Sequence, residues 1–114
     1  MKTELEGRTL EFALRIISFV DGFEKSSVGL VVGRQLLKSA TSIGANYREA
    51  NRAESKSDFI HKIVIAEKEA SETEYWLLIC QRAKLGAHGI DSLLDEARQL
   101  LAILTTIGRK AKKS

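Results

Sequence analysis

Proline is absent from the 114 residues, and glycine occurs only eight times. Proline is the usual breaker of helices, so its absence favours long uninterrupted helical segments. Cys80 is the only cysteine. That excludes an intrachain disulfide and fits a reducing compartment. His61 and His88 are the only histidines. The longest strongly apolar run is Tyr75 to Cys80, far short of the ~20 residues that span a bilayer. The start, Met1 to Glu6, is charged and has no apolar signal segment. A cytoplasmic protein without membrane contact is expected. No glycine-rich loop joins a strand to a helix, so a phosphate cradle of that kind is not expected.

What is present is ordinary for a globular domain: 44% hydrophobic and 29% charged residues. The net charge of +3 is unevenly spread. Arg109 to Ser114 holds four positive charges and no negative one. The 18 basic residues less those four leave 14 against 15 acidic ones over residues 1–108, a net of −1. The basic character therefore belongs to the end of the chain. Residues 1–108 read as one domain and residues 109–114 as a basic tail expected to be disordered.

Four helical segments can be placed from periodicity. The first runs from about Arg8 to Glu24, with Leu10, Ala13, Leu14, Ile17 and Val20 at helical spacing. A turn at Lys25-Ser26-Ser27 leads into a second helix, from Val28–Leu30 to about Ala53. Its stripe is Leu36, Leu37, Ala40, Ile43, Gly44 and Tyr47. Gly33 and Gly44 each weaken that helix by about 1 kcal/mol, which points to a closely approaching neighbour. Ser55-Lys56-Ser57-Asp58 matches a capping box and opens a third helix, Lys56 to about Leu85. Asp91 or Ser92 caps a fourth, which carries Leu93, Leu94, Ala97, Leu100, Leu101, Leu104 and Ile107 and is expected to stop at Gly108. Four amphipathic helices with short loops predict an all-α, up-down-up-down antiparallel four-helix bundle.

There is more apolar surface than one such bundle needs. Beside the Leu10/Leu14/Ile17 face, the first helix carries Phe12, Ile16, Phe19 and Phe23 on its other side. The third helix is apolar all round at Tyr75, Trp76 and Ile79. Large exposed apolar patches usually mark interfaces. These two groups are the candidate subunit interface of a homo-oligomer.

The run Gly33-Arg34-Gln35-Leu36-Leu37-Lys38-Ser39-Ala40-Thr41-Ser42-Ile43-Gly44-Ala45-Asn46-Tyr47-Arg48-Glu49-Ala50 resembles the signature of the bacterial 23S rRNA intervening-sequence protein family. Phe12-Ala13-Leu14-Arg15-Ile16-Ile17 belongs to the same likeness. So do Ser55, Ser57-Asp58-Phe59-Ile60, Ile65-Ala66, Glu69, Glu72 and Tyr75-Trp76-Leu77. The likeness spans Thr9 to Gly108. It departs at Phe23-Glu24-Lys25-Ser26, where relatives often carry proline; that touches a turn, not the bundle. The resemblance implies a small helical bundle assembled as a homopentamer. Some members are encoded within large-subunit ribosomal RNA genes. Similar bundles assist the reverse transcriptases of diversity-generating retroelements, where a basic surface meets nucleic acid. For most members no biochemical activity is established.

Candidate sites follow from residue type and spacing. Di-iron bundles need inward glutamates and two Glu-x-x-His pairs; the nearest match, Asp58-Phe59-Ile60-His61, has none, so no metal and no cofactor are expected. Cys80 lies on an apolar helix face and reads as an inert core residue. Glu69 and Glu72 flank Trp76, but no catalytic residue is expected among them. Gln35, Ser39, Ser42, Asn46 and Glu49 form a polar stripe on the second helix. With the resemblance, the stripe reads as a structural hydrogen-bonding surface, within or between subunits. Arg34, Lys38, Arg48 and Arg52 share one side of the same helix. With Arg109, Lys110, Lys112 and Lys113 they are the candidate nucleic-acid contacts, through phosphates. No aromatic platform for bases stands among them. The leading reading is a non-enzymatic oligomeric scaffold or accessory protein that contacts RNA or DNA. The alternative is an adaptor that binds an unidentified protein and no nucleic acid.

Overall fold

The computed structural model describes residues 2–86 and 88–114. Four helices follow in order: α1 (Lys2–Asp21), α2 (Ser27–Ala50), α3 (Lys56–Ala83) and α4 (Ile90–Lys113). Each packs on the next, and α1 meets α4 along the loosest seam. The result is an all-α four-helix bundle measuring 46 × 20 × 20 Å. Among the described residues no strand occurs.

The helix starts follow local chemistry. Ser26 Oγ accepts from the Gly29 N–H at 3.0 Å. Ser55 Oγ accepts from the Asp58 N–H at 3.0 Å, as the capping box predicts. The α3 end is closed by Lys84 in the left-handed region, φ 59°, with Leu85 N–H returning to the Cys80 carbonyl at 2.9 Å. Gly86 follows at φ 82°. A Cβ there would sit 2.5 Å from the Phe19 ring, so this turn is a seat for Phe19 that only glycine leaves open.

Several boundaries differ from expectation. α2 ends at Ala50, short of Ala53, and α4 begins at Ile90 behind Gly89, with no side-chain cap from Asp91 or Ser92. α1 begins at Lys2, not Arg8. More consequentially, α4 does not stop at Gly108 but continues to Lys113, so residues 109–113 are helical, not a disordered tail. Gly108 is buried and faces Ile63 Cγ2, 3.4 Å from where its Cβ would be. It is a packing glycine, not a terminator. The basic residues that follow are helix-compatible, because cations favour the negative C-terminal end of the helix dipole.

The core also corrects the reading of α1. Phe12 is 1%, Ile16 0% and Phe19 8% exposed, inside a single subunit, so these candidate interface residues are core. The face expected inside lies outside: Leu10 is 61%, Leu14 51% and Ile17 45% exposed. Both faces have helical periodicity, and the one with rings and the fitting neighbours is buried. Thr9, also buried, donates to the Glu6 carbonyl at 3.0 Å and lies against Gly44. A Cβ on Gly44 would be 2.9 Å from Thr9 Oγ1 and 3.6 Å from its backbone carbon. The close approach expected of that glycine is therefore made by α1.

On the other side of α2, Ser39 and Thr73 are fully buried. Thr73 donates to Ser39 Oγ at 3.0 Å, and Ser39 donates to the Leu36 carbonyl at 3.2 Å. This pins α2 to α3 with both hydroxyls satisfied. The α1–α4 seam is held by Arg8, whose guanidinium grips Glu96 at 2.7 and 2.8 Å and reaches Gln99 at 2.7 Å.

Candidate interaction surface on the second helix

α2 touches α1 on one flank and α3 on the other, leaving one face outward. Arg34, Lys38 and Arg48 are exposed on it, and Arg52 is exposed in the turn just past the helix end. At 100° per residue Arg34, Lys38 and Arg48 fall within a sector of about 80°, and Arg34 and Arg48 stand about 21 Å apart. Thr41 and Ala45, exposed between them, are small and leave the line unobstructed. Among the described residues none of the four cations is in an ion pair; the pairs that form are Arg8–Glu96, Lys62–Glu49 and Arg98–Glu74. Lys38 is close enough to Glu69 to oppose the rise of its pKa. That rise comes first from desolvation and then from Glu72.

The remaining basic candidates, Arg109, Lys110, Lys112 and Lys113, are exposed on the last turns of α4. The alternation of helix directions brings them to the same end of the bundle as Arg48 and Arg52. Lys56, at the start of α3, donates to the C-terminal Ser114 there. One end of the molecule is thus basic. No spacing in the sequence announced this, because the cations come from helices far apart in the chain.

The polar stripe divides by depth. Ser39 is its buried member, as described. Ser42 donates to the Lys38 carbonyl at 2.7 Å, and Asn46 Nδ2 to the Ser42 carbonyl at 2.9 Å. Glu49 pairs with Lys62 at 3.0 Å, which raises the Lys62 pKa above its ordinary value. Gln35 is half-buried. The Ser42, Asn46 and Glu49 bonds each lie within the subunit.

Apolar side chains surround the N-terminal half of this face. Val28 is 58%, Leu30 62% and Val31 56% exposed. Val20 of α1 lies against Gly33, and Leu10, Leu14 and Ile17 form a second exposed apolar stripe on α1. On the other flank Tyr75 is 58% exposed, while Trp76 and Ile79 are half-buried. Tyr75 and Trp76 meet edge to face at 5.3 Å, and Trp76 Nε1 donates to Glu72 at 3.2 Å. Phe23 is half-buried and meets Phe19 edge to face at 5.3 Å. Of the candidate interface residues, Tyr75, Trp76, Ile79 and Phe23 therefore keep some surface. The residues missed are Leu10, Leu14, Ile17, Val28, Leu30 and Val31.

The groups considered for catalysis stay apart. Cys80 is fully buried, and burial pushes its thiol up to about 11, so it is protonated at neutral pH. His61 and His88 are exposed on different elements. Among the described residues no group of three or more His, Cys, Asp or Glu side chains is placed to hold a metal. No helix of the described residues is long and apolar enough to cross a membrane.

The fold defines a class: a small all-α four-helix bundle, here with a basic outer face on its second helix. The family described as 23S rRNA-intervening sequence protein matches residues 2–106, and the chain belongs to that family. A solved structure from Bacteroides thetaiotaomicron, a protein of unknown function from the S23 ribosomal protein family, is similar at 38% identity. It covers 96% of this chain and 99% of its own, with a TM-score of 0.85. Comparison with curated proteins gives no match.

Proposed function

We propose that this protein is a non-enzymatic, cytoplasmic scaffold or accessory protein. It assembles with copies of itself and contacts RNA or DNA through backbone phosphates. The observation that carries the nucleic-acid part is the unpaired line of Arg34, Lys38, Arg48 and Arg52, with the basic end of α4 nearby. Neutralising phosphates with such cations releases counterions, and that release drives sequence-independent binding. The family name, which ties its members to sequences interrupting 23S rRNA, supports a nucleic-acid setting.

The assembly part rests on the outer apolar surface of α1 and α2. Leu10, Leu14, Ile17, Val28, Leu30 and Val31 are large and exposed on these two neighbouring helices, and large exposed apolar area usually marks an interface. A homopentamer is the assembly that the resemblance implies. A ring joins two different patches head to tail, and α1 and the α3 flank supply two. Repetition of the basic line around a ring would strengthen phosphate binding through multivalency.

The test is binding of mixed-sequence RNA and DNA across a salt series. Affinity is expected to fall with a log–log slope of about −0.7 to −0.9 per phosphate contact. Arg48→Ala with Arg52→Ala is expected to flatten that slope. No binding at ~50 mM salt would remove the nucleic-acid reading. An adaptor for another protein, using the same apolar surface, would then stand. Light scattering tests the assembly, and a monomeric mass at micromolar concentration would overturn it.

A further inference from the structure

At the basic end of the bundle the loose α1–α4 seam opens into a groove of about 640 Å³. Its size is that of small-molecule sites. Leu5 of α1 and Ile103 and Ile107 of α4 form its apolar walls, and Tyr47 and Phe59 line it from α2 and α3. Lys2, Arg8 and Lys110 stand around it against one carboxylate, Glu4. Arg8 is already neutralised by Glu96. Among the described residues Lys2 and Lys110 are in no ion pair.

Tyr47 points to an occupant. It is only 4% exposed, and among the described residues its hydroxyl makes no hydrogen bond. Tyr47 lines the groove, so its side chain is reached from there. A phenol held this deep, with no hydrogen-bond partner among the described residues, is a donor open to an acceptor in the groove. Apolar walls, one inward donor and two free ammonium groups together match an amphiphile with a compact anionic head.

We propose that this groove binds a medium-chain alkyl carboxylate as a small soluble ligand. The alkyl chain lies along Leu5, Phe59, Ile103 and Ile107. The carboxylate accepts from the Tyr47 hydroxyl and is neutralised by Lys2 and Lys110. The site is independent of the outward face of α2.

The probe is sodium decanoate, titrated into the full-length protein well below its micellar concentration. Binding is followed by calorimetry and by the methyl resonances of Ile103 and Ile107. One saturable site per subunit is expected, with those methyls shifted. Each methylene removed from the chain is expected to weaken binding about fourfold. Decan-1-ol, which lacks the charge, is expected to bind more weakly. Tyr47→Phe deletes only the hydroxyl and is expected to weaken decanoate about tenfold without unfolding the bundle. Thr106 is exposed at the groove, so Thr106→Trp fills it from outside and is expected to abolish binding. Three results would overturn the proposal: no saturable binding, equal affinity for decan-1-ol, or unchanged affinity in Thr106→Trp.

Discussion

α1 carries two apolar faces of similar length with opposite fates. The inner face, with Phe12, Ile16 and Phe19, is at most 8% exposed, whereas Leu10, Leu14 and Ile17 on the outer face are each at least 45% exposed. Hydrophobicity alone does not separate them. The inner face even includes a threonine, while the outer stripe is purely aliphatic. What separates them is fit. Phe19 has a seat at Gly86, and Thr9 has one at Gly44. Interiors are packed like organic crystals, so the face with matching partners wins the core.

That contrast can be broken most forcefully from the inside. Phe12→Ala is expected to destabilise the subunit by about 3–5 kcal/mol, through lost transfer energy and the cavity left behind. Chemical denaturation measures it. Gly86→Ala is expected to cost about 2–4 kcal/mol, since it adds a Cβ at positive φ and drives it into the Phe19 ring. If the loss is under about 1 kcal/mol, Gly86 is not the seat of Phe19. Gly44→Ala is expected to cost about 1–3 kcal/mol by pushing Thr9 and α1 away from α2. Pairing it with Thr9→Ala, which removes the Oγ1 that the new Cβ meets at 2.9 Å, should recover part of the loss, and a double-mutant cycle reads that coupling.

The outer face should respond in the opposite sense. Leu14→Asp is expected to change subunit stability by less than about 0.5 kcal/mol, because the side chain is half in water already. The same substitution is expected to lower the mass seen by light scattering. A large loss of helix signal in Leu14→Asp would show the two faces to be less distinct than their exposures indicate.

Much of the bundle was legible in the residues. The four helices, the Ser55 cap and the burial of Cys80 and of the α4 stripe all follow from periodicity and cap chemistry, which act over a few residues. The α4 stripe could be placed because its other side is charged, leaving one face for the core. α1 could not be placed in the same way: periodicity identifies an apolar face, and here there are two. Gly108 misled because a glycine after an apolar stripe looks the same whether it ends a helix or lets Ile63 approach one. Arg34, Lys38 and Arg48 were visible as a line because they share one helix, and Arg52 continues it in the turn past the helix end.

Composition and pattern therefore sufficed for an all-α bundle and for the basic line along one of its helices. Both depend on neighbours within a turn or two of helix, and the chain order carries that information. The tertiary structure alone decided which face of α1 is buried. It brought the end of α4 to the same end of the bundle as the end of α2, and it left Tyr47 facing an open groove between α1 and α4. Each of these depends on how side chains from distant parts of the chain fill a shared space. Packing complementarity is a property of pairs of surfaces, and no single helix encodes it.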